Sequence, residues 1–355
     1  MKILAIDTSC DETAAAVTEG TKVLSNIIWS QAAAHAKFGG VMPSLAQRMH
    51  EERIDWVIER AIKSSKRATG SAIKMQSLDA IAVTIGPGLS IALGVGIDRA
   101  KRLAKKYNKP LIPINHVEAH ILSPLANSND EMQFPAYGLC VSGGNTIFVL
   151  IEKEGYKILA ETQDDALGEA LDKGARMLGL GYPGGAVLEK MAKLGNPKRF
   201  TLPIPLVGQE KRQIFSYSGL KTSFYRLIQS SPPKTKQDTY DLAAAYQDIA
   251  FKHIERVLEY SMTNNKLKID SKADYVNLLV GGGVAANIEL RKRLRKLSKK
   301  HGVRVSVPYS EKLYGDNAAM IGVCAGFKIS AGEVKPSDLF DYDKIDRNPR
   351  LKINQ

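Results

Sequence analysis

The sequence predicts an α/β protein built as two similar lobes, and three observations carry that prediction. Short apolar runs rich in β-branched residues (Lys2 to Ile6, Asp79 to Ile85, Tyr275 to Val280) alternate with amphipathic segments of helical period. Glycine-rich turns follow several of those runs, among them Gly86-Pro87-Gly88 and Gly281-Gly282-Gly283. The order of elements also repeats. Ile3-Leu4-Ala5-Ile6-Asp7 with its polar turn corresponds to Gly138-Leu139-Cys140-Val141-Ser142 with its turn, and Asp79 to Gly88 corresponds to Asp274 to Gly283. Such a duplication predicts twin lobes facing a cleft that the turns of both halves line. The expected boundaries are 1–126 and 127–330, with a tail, 331–355, packing back on the first lobe.

In chain order, Lys2 to Ile6, Ala14 to Val17 and Val23 to Trp29 read as three strands, the first two joined by the polar turn Asp7-Thr8-Ser9-Cys10-Asp11-Glu12-Thr13. His35 to Pro43 is a glycine-punctuated loop, and Pro43 opens an amphipathic helix through about Lys63. A buried strand at Asp79 to Ile85, a helix from Ser90 to Tyr107 and a short strand at Leu111 to Ile114 follow. After a polar loop at Asn127 to Glu131, strands are expected at Tyr137 to Val141, Ile147 to Ile151 and Tyr156 to Glu161. Helices follow at Gly168 to Leu178, after Gly184-Gly185, and from Tyr240 to about Thr263, with Ser230 to Lys234 as a loop. Tyr275 to Val280 is a buried strand, Ala286 to Lys300 a helix, and Asp316-Asn317 begins the last apolar helix.

The 355 residues are enough for two domains, and apolar and charged fractions of 44% and 25% are those of a globular protein. Lys and Arg number 50 against 37 Asp and Glu, leaving +13. That excess points to a polyanionic partner such as nucleic acid, or to a solvated basic surface. Cys10, Cys140 and Cys324 are odd in number and far apart, which fits a reducing compartment without a disulfide framework. The first apolar run meets Asp7 at once and the most apolar window, Ala80 to Ile97, is broken by glycines. A cytoplasmic chain with no secretory signal and no membrane span is therefore expected.

In Asn115-His116-Val117-Glu118-Ala119-His120 the two histidines fall one helical turn apart and face the same way, a spacing that can hold one divalent metal ion. Chance pairing on a solvated helix is the alternative. A zinc-peptidase helix needs its glutamate directly after the first histidine. Glu118 lies two residues on, about 200° round the helix, and cannot serve as that base. The site would orient a ligand rather than hydrolyse peptides. Asp316, at a helix start bordering the same expected cleft, is the best candidate for a third ligand, against its plain use as an N-cap. Asp7, Asp11 and Glu12 could act as bases or bind a phosphate-bound cation.

Ser142-Gly143-Gly144-Asn145-Thr146 offers unobstructed backbone amides for a phosphate, or simply a tight hairpin. Gly281-Gly282-Gly283 before Val284-Ala285-Ala286-Asn287 would let a base or ribose approach the backbone, or let strand and helix pack closely. Tyr182-Pro183-Gly184-Gly185 is a similar low-bulk turn. Arg291 to Lys296, Lys299-Lys300, Lys101-Arg102 and Lys105-Lys106 are basic helix faces suited to a nucleic-acid backbone or to solvent.

Taken together with Gly168-Glu169-Ala170-Leu171-Asp172-Lys173 and Ser216-Tyr217-Ser218-Gly219-Leu220-Lys221-Thr222, these motifs occur in an order that resembles the TsaD family of tRNA threonylcarbamoyladenosine synthases, across about residues 1 to 330. The resemblance implies the actin-like, sugar-kinase-like (ASKHA, ribonuclease H-like) fold. It implies transfer of a threonylcarbamoyl group from threonylcarbamoyl-AMP to the exocyclic amine of the adenosine beside the anticodon in tRNAs reading ANN codons. It further implies one iron or zinc ion held by His116, His120 and Asp316, and adenylate binding by Cys140, Val141, Ser142, Gly143, Gly144, Asp172, Gly185, Glu189 and Asn287. Asp11 or Glu12 could take the amine proton. Implied partners are tRNA and the auxiliary subunits of this machinery, bacterial-type TsaB and TsaE or archaeal-type KEOPS subunits, with a homodimer open. Asn145 and Cys140 mix the signatures of the family's branches, so the fourth ligand is open between Cys140 and another group. A small-molecule kinase of the same superfamily and a non-catalytic scaffold subunit are the competing readings.

Overall fold

The computed structural model describes residues 1–71, 73–128, 132–267 and 275–354. Part of the expected 127–131 loop, residues 129–131, and Asp274 at the head of the second repeat lie outside the described residues. The chain forms two compact units, Met1–Met132 with Pro308–Gln355, and Gln133–Val307.

The first unit opens with β1 (Lys2–Asp7), β2 (Glu12–Glu19) and β3 (Lys22–Ser30), an antiparallel meander. A short turn of helix, α1 (Ala32–His35), leads to α2 (Pro43–Thr69). Next come β4 (Ala80–Gly86), α3 (Ser90–Tyr107), β5 (Leu111–Asn115) and α4 (His116–Leu122). The sheet order is β3-β2-β1-β4-β5, with β4 and β5 parallel to β1. Pro43 sits in the first turn of α2, where its missing N–H costs nothing. The helix runs beyond the expected Lys63 and stops at Gly70, whose φ of 73° forms a left-handed cap with its N–H on the Lys66 carbonyl. Ala46, Ile54, Val57, Ile58 and Ala61 form its buried stripe against the sheet core of Leu4, Ile6, Ile81 and Val83. Each of the Ile and Val side chains contributes about 1.5–3 kcal/mol by leaving water, the alanines less.

The second unit repeats the pattern. β6 (Ala136–Val141), β7 (Thr146–Glu152) and β8 (Gly155–Thr162) form the meander. Then come α5 (Leu167–Met177), α6 (Gly185–Ala192), a two-residue β9 (Ile214–Phe215), α7 (Ser218–Ser230) and α8 (Lys236–Asn264). β10 (Val276–Gly281), α9 (Ile288–Lys300) and β11 (Val303–Ser306) finish the unit. Its order, β11-β10-β6-β7-β8-β9, matches the first sheet with β9 added at the edge. β9, α7 and β11 carry no strong sequence signal. β9 and β11 are too short for a period to show, and Gly219 with three serines obscures the start of α7.

The expected boundary at 330 needs correction, because α10 (Ala318–Ser330) belongs to the first unit. Its residues from Ala318 to Phe327 are all buried, the mark of a helix enclosed on every side. Gly322 and Gly326 let it lie against Thr18 and Gly20, where a methyl group would clash. The segment after it packs on the same unit: Leu111 N–H donates to Leu339 O at 3.0 Å and Asn348 N–H to Ile85 O at 2.7 Å. Among the described residues, no helix is long and apolar enough to cross a membrane.

Candidate functional site

The histidine helix α4 starts where β5 ends. Asn115 caps it, its Oδ1 accepting from the N–H groups of Val117 (2.9 Å) and Glu118 (3.2 Å). All seven helix residues are buried. Glu118 points away from the histidine pair into an ion pair with Lys328 of α10 at 2.9 Å, as its 200° offset requires. At the head of α10 the N-cap is Asn317, whose Oδ1 accepts from Met320 N–H at 3.1 Å. That leaves the Asp316 carboxylate for other work.

His120 Nε2 lies 3.1 Å from Asp316 Oδ1, and His116 Nε2 lies 3.5 Å from the same oxygen. The two rings meet edge to face with centroids 4.6 Å apart. Among the described residues, this trio is the group of metal-ligating side chains that converges, with one donor atom of each within 4.8 Å of the others. Ligands about 2.1 Å from a tetrahedral ion sit about 3.4 Å from one another, so the two His–Asp distances fit a shared ion. Both Nδ1 atoms are buried without a hydrogen-bond partner. His116 Nδ1 faces Asp7 Oδ1 at 3.8 Å, and that oxygen accepts from Thr84 Oγ1 at 2.6 Å. A carboxylate behind a ligating imidazole is the common supporting arrangement at metal sites. The residues present therefore fit a divalent ion.

Electrostatics point the same way. Burial alone drives both rings towards neutrality. At His116 the Asp316 carboxylate, with Asp7 behind it, outweighs burial and holds the pKa at about 9. At His120 burial prevails, helped by repulsion from His116, and the pKa falls below the ordinary value. Asp316 is held far below the usual carboxylate range because the two histidines outweigh its burial, whereas burial pushes Asp7 up. A carboxylate that keeps a proton on its neighbouring imidazole can hold a divalent cation in that proton's place.

The turn between β1 and β2 is fastened from both sides. His50 of α2 donates from Nε2 to the Cys10 carbonyl at 3.0 Å, which fixes the tautomer and lets Nδ1 accept from Thr13 Oγ1 at 2.8 Å. Gln31 N–H donates to the Asp11 carbonyl at 2.9 Å, and Gln31 Oε1 pairs with His35 Nε2 at 3.0 Å. The Glu12 carboxylate accepts from Ser30 Oγ at 3.0 Å. Burial, reinforced by the charges of Asp316 and Asp11, raises its pKa well above the ordinary value. The sequence reading missed His50. Its position in the apolar stripe, four residues from Ala46 and four from Ile54, was the available signal.

In the second unit, Ser142 N–H closes the turn on Asn145 O at 2.8 Å, while Gly143 and Gly144 border open space. Cys140 and Val141 lead into that turn as buried ends of β6. Gly282 has a φ of 94°, and any side chain there would strike the Val141 carbonyl, so the two loops touch backbone to backbone. Asp172 Oδ1 accepts from Gly184 N–H (2.8 Å) and Gly185 N–H (2.7 Å). Glu189 Oε1 accepts from Ile288 N–H at 3.0 Å, beside Asn287, which caps α9 and donates to Gln247 Oε1 at 2.9 Å. The unit thus gathers Val141 to Gly144 with Gly282, Asp172 with Gly185, and Glu189 with the Asn287 turn. The basic faces need correction in part. Arg293 is taken up by Asp248 (2.6 Å), Glu289 (2.8 Å) and Glu255 (3.2 Å), so this cation serves the fold, whereas Lys105 makes only an exposed surface pair with Asp343 at 3.1 Å.

A family model described as tRNA N6-adenosine threonylcarbamoyltransferase matches residues 22–323. A relative of that name from Bartonella tribocorum is 42% identical over 349 residues, covering 96% of this chain and 93% of its own length. Another from Chelativorans sp. is 43% identical, covering 93% and 90%. The chain belongs to the tRNA N6-adenosine threonylcarbamoyltransferase family. Among solved structures, the activator of 2-hydroxyisocaproyl-CoA dehydratase from Clostridium difficile matches with a TM-score of 0.52 and 13% identity, over 94% of this chain and 98% of that one. HypF from T. kodakarensis matches with a TM-score of 0.52 and 16% identity, over 95% and 49%. The threonylcarbamoyltransferase fold here is accordingly the duplicated actin-like, sugar-kinase-like α/β fold that the family resemblance implied, and its two sheets carry the repeat read in the sequence.

Proposed function

We propose that this chain transfers the threonylcarbamoyl group of threonylcarbamoyl-AMP to N6 of adenosine 37 in tRNAs reading ANN codons. Membership of the threonylcarbamoyltransferase family supports the reaction. The observation that carries the site is the convergence of His116, His120 and Asp316 on one point of the first unit.

In the second unit, the open amides of Gly143 and Gly144 would hold the adenylate phosphate. The Asp172-braced Gly185 turn and the Glu189–Asn287 corner would take its nucleoside. In the first unit, His116, His120 and Asp316 would hold one divalent ion, with two imidazoles and a carboxylate suiting iron or zinc, supported by Asp7. Such an ion, when bound, supplies Lewis acidity and a fixed point for substrate oxygens. Glu12, half-buried and with its proton affinity raised by burial and by the charges of Asp316 and Asp11, would in its ionised form accept the proton as the adenine amine attacks the carbamoyl carbon, the bond from that carbon to the phosphate oxygen breaks, and AMP leaves. Asp11 would hold the amine in line. The basic excess suits tRNA as substrate, and auxiliary subunits of the same machinery, TsaB and TsaE or KEOPS subunits, would work with the chain in the cytoplasm.

The deciding experiment supplies purified chain with threonylcarbamoyl-AMP and an unmodified tRNA reading an ANN codon, with nucleoside mass spectrometry as readout. Modified adenosine with equimolar AMP is expected. A tRNA left unmodified by the chain, with or without the auxiliary subunits, would overturn the reading.

A further inference from the structure

The loop from Ala36 to Met42 is not used by the chemistry above, and its construction is unusual. Its base is rigid: Met42 N–H donates to Nδ1 of the buried His35 at 3.2 Å, and His35 Nε2 pairs with Gln31 Oε1 at 3.0 Å. Gln31 is itself tied to the Asp11 carbonyl, and its Nε2 donates to Ala46 O at 3.3 Å. The Ser30 hydroxyl donates to Glu12 and accepts from Ala32 N–H at 3.3 Å. One hydroxyl therefore links the start of α1 to the proposed proton acceptor.

The tip is the opposite of the base. Phe38 is 59% exposed and Met42 is 41% exposed, two large apolar side chains in water. Lys37 stands beside Phe38, Arg48 follows in the second turn of α2, and the sequence from Gln31 to His50 contains no acidic residue. Two short helical turns, Ala32–His35 and Ala36–Phe38, carry the chain from the Ser30 hydroxyl to the ring, a rise of roughly 10 Å.

An aromatic face flanked by cations without acids is the composition that holds unpaired bases, because every base has a stacking face and every nucleotide a phosphate. We propose that Phe38 is a stacking platform for an unpaired base adjoining the target adenosine, with Lys37 on the neighbouring phosphate. The tip selects tRNA whose loop is splayed open, and its fixed base sets the distance from that base to Glu12. This inference rests on the tRNA-modifying reading and names a recognition surface for it.

The test uses the full chain and a transcribed ANN-reading tRNA with 2-aminopurine next to the target adenosine. Affinity and fluorescence are measured for wild type, Phe38→Ala and Phe38→Trp, and KM is measured separately for tRNA and for threonylcarbamoyl-AMP. Phe38→Ala is expected to weaken tRNA binding and raise the tRNA KM about 10-fold, to restore 2-aminopurine fluorescence, and to leave the KM for threonylcarbamoyl-AMP unchanged. Phe38→Trp is expected to keep wild-type values. Unchanged tRNA affinity in Phe38→Ala would overturn the inference, as would loss confined to capture of a protein partner, or failure of Trp to substitute. The binding arm needs no turnover, so a chain that binds tRNA through Phe38 without modifying it would refute the proposed reaction and leave the platform standing.

Discussion

His120 Nε2 and Asp316 Oδ1 are 3.1 Å apart although 196 residues separate them in the chain. α4 brings the first and the loop before α10 brings the second, and both are packed in one unit. Asp316 is available because Asn317 takes the N-cap position.

Replacing His116 or Asp316 by Ala should abolish stoichiometric metal binding, read by elemental analysis of protein purified with limiting zinc or iron. Asp7→Asn should weaken affinity by about 10–100-fold while keeping the stoichiometry, because it acts behind His116. Full occupancy in His116→Ala would place the ion elsewhere.

Metal uptake should depend on pH. Asp316 holds His116 protonated up to about 9, and a ligating imidazole must be neutral, so binding expels a proton. Affinity should rise about tenfold per pH unit between 7 and 9, and titration calorimetry in buffers of different ionisation enthalpy should report the released proton. Without an ion the sign for folding is opposite. The folded-state pKa of His116 is raised above the unfolded 6.5, so its stabilisation is complete below pH 6.5. It is lost as pH rises through 9, by about 3 kcal/mol at most.

His253 should make the second unit acid-sensitive. Burial pushes its pKa down to about 4, and its Nε2 accepts from Ser216 N–H at 3.1 Å. A depressed histidine costs nothing above the unfolded value. Stability should therefore fall as pH drops from 6.5 towards 4, by up to about 3 kcal/mol. Denaturant titrations at several pH values should show the slope, and His253→Gln should flatten it.

Gly282→Ala should damage fold and adenylate binding together. The residue has a φ of 94° and its new methyl would meet the Val141 carbonyl. A cost of about 2–4 kcal/mol corresponds to a drop of roughly 5–15 °C in Tm for a unit of this size. A Tm within about 1 °C of wild type would mean that the two loops are less tightly opposed.

Glu12→Gln should slow transfer by about 10²–10⁴-fold with little change in KM for threonylcarbamoyl-AMP. An unaltered rate would shift the proton acceptor to Asp11 or to water.

The repeat was legible because buried strands and glycine turns recur in the same order, and both sheets share the order meander, then parallel strands. The histidine pair was legible from spacing, and Glu118 was excluded by helix geometry before its ion pair with Lys328 was seen. What escaped depended on packing between distant segments. Nothing local in Ala318 to Ser330 says which sheet encloses it, and the close approach of Gly322 to Thr18 is visible only in three dimensions. Arg293 reads as a free cation in the run Arg291 to Lys296, yet Asp248 and Glu255 of α8 enclose it. The stripe of the helix marks His50 as inward-facing, but its partners, the Cys10 carbonyl and the Thr13 hydroxyl, are visible only in three dimensions.

Because residues 308–355 complete the unit begun by residues 1–132, the second unit is an insertion within the first. During synthesis both histidines leave the ribosome before Asp316 exists, and 196 residues must follow His120 to reach it, roughly 10–40 s of translation. A nascent chain cut short before Asp316 carries both histidines and all of residues 133–307 and still lacks the third donor of the proposed metal site. Any ion taken up by all three donors can therefore enter only nearly finished chains, at the end of translation.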